Sequence, residues 1–249
     1  MFKDNSKELF TVYLINWLNR LIGADMVDIY VGPQSQLFRV HKSFLTSKIP
    51  SFEKMFSNEF KEAKKNKAIF PEDDPEAFEI LIEWVYTGIL RPLGHLTDEV
   101  GNKIKDDDGS FILTWNFYRT YGLANKLCIN SLMDMLISDR IRLSNAVNVF
   151  DGLTSLKTDL PKLSRGSNLR KYFIHVLHYI LEERHTEADL KKWPTEEIQK
   201  LMENAEIALD ILQLIRNHPP GTHVQDPRKL PLCNFHAHGK DEECPDKLA

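Results

Sequence analysis

The sequence predicts an α+β domain followed by an all-α extension. Three observations carry that expectation. Val27, Ile29 and Val31 alternate with Asp28 and Tyr30, and Phe38 and Val40 alternate with Leu37 and Arg39, which is the two-residue period of a strand. The stretch "DDPEAFEILIEWVYTG" carries a complete set of helix start and stop signals. At about 168–184 and 195–216 the apolar residues recur at helical spacing.

In chain order, residues 9–22 ("LFTVYLINWLNRLI") are apolar nearly all round, as in a short helix that buries most of its surface, often against another chain. Gly32 to Gln36 supply turn chemistry between the two alternating runs, so a β-hairpin is expected. The period turns helical at "HKSFLTSK", and Pro50 stops that helix. Ser51 is placed to cap the next one, whose apolar face is Phe52, Met55, Phe56 and Phe60. "KAIFPE" reads as a short strand. Asp74 then stands as N-cap, Pro75 at the first helical position, Glu76 at the positive helix end and Gly88 at the close. Phe78, Leu81, Ile82 and Val85 form the inner face of that helix.

Residues 91–110 lack a clear period and read as a long loop or insertion. Two helices resume over 115–141, with Gly122 near the break and Leu123, Leu127, Leu132 and Leu136 on the buried side. Residues 151–167 are loop-like and mark a domain boundary. Two amphipathic helices follow, at about 168–184 and 195–216, and Pro219-Pro220 ends the second. The expected organisation is thus a domain over 9–145, a helical extension over 146–218 and an irregular tail over 219–249.

Composition narrows the function classes. A net charge of −4 with scattered lysines argues against a generic nucleic-acid surface, because phosphate contacts need clustered cations. No apolar run approaches the roughly 20 residues that span a membrane. The opening "MFKDNSKELF" does not read as a signal peptide. Three cysteines cannot build a disulfide framework, so an intracellular setting, nucleus or cytoplasm, is expected.

"VDIYVG…LFRVHKSFLTSKIPSFEKMF", "FKEAKKNKAIFPEDDPEAFEILIEWVYTG" and "YGLANKLC" together closely resemble the BTB/POZ domain. The resemblance covers roughly residues 9–140, through Asp28, His41-Lys42, the helix ending near Phe56, "EDDPEAF" and the triplet at 86–88. It implies a small sheet flanked by helices, a protein–protein interaction role, no catalysis and a homodimer joined through the N-terminal helix and strand. In family members that act as cullin ubiquitin-ligase adaptors, a hydrophobic-x-Glu motif helps dock the cullin, and Phe60-Lys61-Glu62 matches it. Phe60 equally continues the core spacing of Phe52 and Phe56. Asp28 and Lys42 match charged positions lining a dimer-interface pocket in some transcription-factor members, and an ordinary surface pair fits them as well. His41 reads as a structural hydrogen-bonding residue. The chain departs from the family in its insertion and in residues 151–249, which carry neither the repeats of a substrate-recognition domain nor zinc-finger repeats. A transcription-linked or purely structural oligomeric scaffold is the alternative reading.

The tail contains Cys233, His236, His238 and Cys244 in "CNFHAHGKDEEC". Zinc takes four tetrahedral nitrogen and sulfur ligands, and a compact loop can supply them. Similar Cys/His tails accompany BTB domains in short fungal proteins, so the resemblance extends to this segment. Four protein ligands would leave no open position, making the Zn2+ a structural clip. A tail with incidental His and Cys is the other reading, and a zinc-dependent enzyme is a remote third. Asp106 to Ser110 lack the glutamate that a calcium loop carries at its twelfth position. His175, His178 and His185 lie on an amphipathic helix and read as packing or surface residues. Cys128 reads as a buried, inert thiol.

Overall fold

The computed structural model describes residues 25–57, 61–105, 111–150, 152–239 and 241–244. The helix expected over 9–22, the candidate Phe60 and the segment Asp106–Ser110 lie outside them. The described residues divide between two compact units. One holds the chain up to Arg91 together with Arg119–Ile129, and the other holds Pro92–Tyr118 and everything from Asn130 on.

The first unit is built on a three-stranded sheet in the order β2-β1-β3. β1 (Met26–Val31) and β2 (Gln36–His41) form the expected antiparallel hairpin, with Val31 opposite Gln36 and Asp28 opposite Arg39. The turn requires Gly32: its φ is +74°, and a Cβ there would lie 3.0 Å from Pro75 Cγ. β3 (Lys67–Phe70) lies parallel to β1 on its other side, so the chain must cross over between them. Three helices make that crossover: α1 (Lys42–Lys48), α2 (Pro50–Ser57) and α3 (Lys61–Lys65).

Alternation in β1 sends Val27, Ile29 and Val31 fully into the core. Phe52 and Phe56 stack at 5.9 Å, Phe52 meets Phe70 edge-on at 5.8 Å, and Phe70 meets Phe78 at 4.9 Å. Burying each such ring contributes roughly 1.5–3 kcal/mol. Pro50 opens α2 from within, so Ser51 does not cap it. The Ser51 hydroxyl instead donates to the Leu127 carbonyl at 2.7 Å.

α4 (Pro75–Thr87) follows its sequence signals closely. The Asp74 carboxylate accepts from the Glu76 and Ala77 amides at 2.9 and 3.2 Å, and Gly88 closes the helix at φ +72°. Its buried face includes Ile80 and Trp84, whereas the expected Ile82 is only half-buried. α5 (Phe117–Lys126) runs straight through Gly122. The break falls at Cys128, whose φ is +56°. There the Cys128 amide donates to Asn125 and the Ile129 amide to Ala124, the paired bonds of a left-handed helix stop. That conformation turns Cys128 outward, so its thiol is exposed rather than buried.

The second unit is helical. α6 (Asn130–Ala146) buries Leu132 and Leu136, together with Asp134 and Ser138. Residues 151–167 are not an open loop: they hold α7 (Leu153–Asp159) and a 3-10 turn at Leu160–Lys162, with Leu156 and Leu160 fully buried. α8 (Asn168–Glu183) matches expectation. α9 (Glu187–Lys192) follows under a reciprocal Thr186–Asp189 cap. The helix expected over 195–216 divides into α10 (Thr195–Met202) and α11 (Ala205–Asn217), because Asn204 caps a fresh start by accepting from Glu206 and Ile207. α8 and α11 are tied by Arg170, whose Nε and Nη2 donate to Asp210 Oδ2 at 2.9 and 2.8 Å. The insertion also has structure. Leu96, Ile104 and Ile112 exchange backbone hydrogen bonds, bridging three short extended segments too brief to show a period. Among the described residues no helix is long and apolar enough to cross a membrane.

Candidate interaction face and metal centre

The motif residues of the first unit are drawn together by one phenol. Tyr86 lies in the last turn of α4 and His41 at the end of β2. The His41 amide donates to the Tyr86 oxygen at 3.0 Å, and His41 Nδ1 lies 2.8 Å from it. One phenol oxygen thus ties both the backbone and the ring of His41 to the end of α4. His41 therefore has hydrogen-bonding partners of a structural kind. The next residue of the triplet, Thr87, donates to the Glu83 carbonyl at 2.7 Å and accepts from the Ile89 amide at 3.1 Å.

The outer face of the sheet is ordered in two rows. The strand registers align Lys67, Asp28 and Arg39 in one, and Ile69, Tyr30 and Leu37 in the other. Arg39 grips Asp28 through Nε at 2.7 Å and Nη2 at 3.0 Å. The guanidinium holds the Asp28 carboxyl below its ordinary range. The intrachain partner of Asp28 is therefore its cross-strand neighbour Arg39, whereas Lys42 opens α1. Lys67 Nζ sits 4.0 Å above the Tyr30 ring, a cation–π contact. Ile69 and Leu37 are 61% and 47% exposed, so the second row presents an apolar strip to the outside. Glu62 lies in α3 and is half-buried.

In the second unit the four tail residues converge. A 3-10 turn at Leu232–Phe235 carries Cys233 and drives Phe235 into complete burial. The Phe235 ring meets Tyr172 and His175 of α8 edge-on at 5.3 and 5.5 Å. Lys171 Nζ donates to the Asn234 carbonyl at 2.7 Å. Past Phe235 the chain is extended at His236 and bends at His238. It then turns back where the Gly239 amide donates to Glu242 and the Glu242 amide to Gly239, which returns Cys244 to the cluster. One ligand atom from each of Cys233, His236, His238 and Cys244 lies within 4.8 Å of all the others. Cys233 Sγ is 3.4 Å from Cys244 Sγ, His236 Nδ1 is 3.2 Å from His238 Nε2, and Cys244 Sγ is 3.5 Å from His236 Nδ1.

Two residues of α6 position this group, and nothing in the sequence singled them out. Asp134 and Ser138 are four residues apart and so share a helix face. The fully buried Asp134 carboxylate accepts from the Ala237 and His238 amides, and Ser138 Oγ lies 2.8 Å from His236 Nε2. Burial pushes the Asp134 carboxyl up, against the opposing pull of the two amides. His238 Nδ1 lies 2.9 Å from the Gly239 carbonyl. A carbonyl only accepts, so Nδ1 carries the proton there.

A family model described as the BTB/POZ domain matches residues 18–139. Among solved structures, the BTB domain of zebrafish PATZ1 is similar at 14% identity, over 55% of this chain and 92% of that one, with a TM-score of 0.31.

Proposed function

From residues 18–139, which belong to the BTB/POZ family, we propose that the chain is a non-catalytic protein-interaction module that self-associates and recruits other proteins inside the cell, in nucleus or cytoplasm. The family match carries this reading, since BTB domains generally mediate protein–protein contacts. The outer sheet face supports it: exposed Ile69 and Leu37 flank Tyr30 beside a row of fixed charges, the mix of apolar centre and polar rim that interfaces use. In this reading residues 9–145 form the interaction domain, 146–218 a helical extension and 219–249 a tail. Asp28 and Lys42 are candidate dimer-pocket residues. Light scattering across a wide concentration range tests the self-association. The expected result is a mass of twice the monomer, and a strict monomer at high concentration overturns it.

A cullin-adaptor role is the finer reading favoured by Phe60-Lys61-Glu62. Capture by a cullin N-terminal domain should be strong for the unaltered chain and fall for Phe60→Ala and Glu62→Ala. Equal capture of all three, or of none, favours the alternative of a transcription-linked or structural scaffold.

A further inference from the structure

We infer that Cys233, His236, His238 and Cys244 form a closed, structural Zn2+ site that fastens the tail to α6. The first argument is metric. A tetrahedral ion with bonds of about 2.3 Å to sulfur and 2.0–2.1 Å to nitrogen has ligand–ligand edges of about 3.8 Å (S–S), 3.3 Å (N–N) and 3.6 Å (S–N). The S–S, N–N and Cys244–His236 separations here are 3.4, 3.2 and 3.5 Å, and all six pairs lie within 4.8 Å, a cluster that closes onto one ion with small side-chain adjustments. Two sulfurs at 3.4 Å are far outside the roughly 2.05 Å of a disulfide, and a disulfide would leave the two imidazoles converging on nothing.

The second argument is the proton inventory. His238 Nδ1–H is committed to the Gly239 carbonyl, which leaves the Nε2 lone pair aimed into the cluster. Ser138 engages His236 through Nε2, which leaves Nδ1 aimed at the same point. Outer hydrogen bonds of this kind orient imidazole ligands and raise their basicity. The third argument is the scaffold. Asp134 accepts from the successive Ala237 and His238 amides, one on each carboxylate oxygen, and Phe235 is buried two residues past Cys233. The ligands are therefore held by packing that does not involve the ion.

The donor set selects the metal. Two thiolates and two imidazoles in a tetrahedron suit Zn2+ over the oxygen-seeking Mg2+ and Ca2+. The two thiolates balance the ion's charge. Four protein ligands leave no position for water or substrate, so the site holds structure and does no chemistry. The clip closes on α6, whose residues 130–139, Asp134 and Ser138 among them, lie within the BTB/POZ match, so it makes the tail part of the same folded unit as that helix.

The full chain, purified under reducing conditions, should contain about one equivalent of zinc by elemental analysis. After chelation, added Co2+ should give the intense visible bands of a tetrahedral thiolate site, and Zn2+ should bleach them. Cys128→Ser should keep both properties, and the pair Cys233→Ser with Cys244→Ser should lose them. Ser138→Ala should leave the spectrum tetrahedral while weakening Zn2+ binding about ten-fold. The readings on the unaltered chain do not depend on any variant folding. Absence of zinc together with no tetrahedral Co2+ spectrum overturns the inference. So does a six-coordinate spectrum, a Cys233–Cys244 disulfide in the reduced protein, or full metal content in the double variant.

Discussion

The Arg170–Asp210 pair joins α8 to α11, and removing its carboxylate should be costly. Arg170 is only 2% exposed, and both Nε and Nη2 donate to one Asp210 oxygen. In Asp210→Ala the guanidinium stays buried. It keeps the Leu163 carbonyl at 3.1 Å and the Glu206 carboxylate at 3.5 Å. Glu206 is 64% exposed and well solvated, so it compensates weakly. Breaking a buried pair from one side typically costs 3–5 kcal/mol. The residual partners place this case at the lower end, about 3 kcal/mol, which corresponds to a fall in Tm of roughly 6–12 °C for a unit of this size. Urea unfolding measures it as a lower midpoint at unchanged slope. The cost comes from the stranded charge, so Arg170→Met combined with Asp210→Leu should recover stability to within about 1 kcal/mol. A loss below about 1 kcal/mol in Asp210→Ala would refute the reasoning, as would a double variant no better than the single one.

Asp74→Ala strips two amides of α4 of their acceptor and should cost about 1 kcal/mol in urea unfolding, with Asp74→Ser restoring most of it; equal stability of all three would contradict the cap. Burial beside Phe235 pushes His175 down to about 4, so it stays neutral in the fold while the unfolded chain takes up a proton near 6.5. The unfolded state then binds more protons between those values, and stability should fall as pH drops from about 6.5 toward 4. His175→Leu should flatten that slope in thermal melts, and an unchanged slope would count against the assignment.

What the sequence disclosed was local. The hairpin, β3, and α4 with Asp74 and Gly88 were legible because each depends on residues within a few positions. The misplaced features lacked such signals. Gly122 looked like a helix break, but the break needed a left-handed residue, and Cys128 adopts it under constraint from Ala124 and Asn125. Arg39 as partner of Asp28 was within reach, because a hairpin closing at Val31 and Gln36 places those two opposite each other. The four candidate ligands were found from their types and spacing alone. Asp134 and Ser138 were not, because they stand about a hundred positions upstream, where only the folded backbone makes them neighbours.

That separation has a kinetic side. Among the described residues, the contacts from Asp134 to Ala237 and His238 close loops of 103 and 104 residues. Long loops forfeit more chain entropy before any contact rewards them, so such pairings come late in folding. The helices of the second unit would therefore assemble first, leaving the Asp134 carboxylate of α6 briefly wet until the tail arrives to cover it.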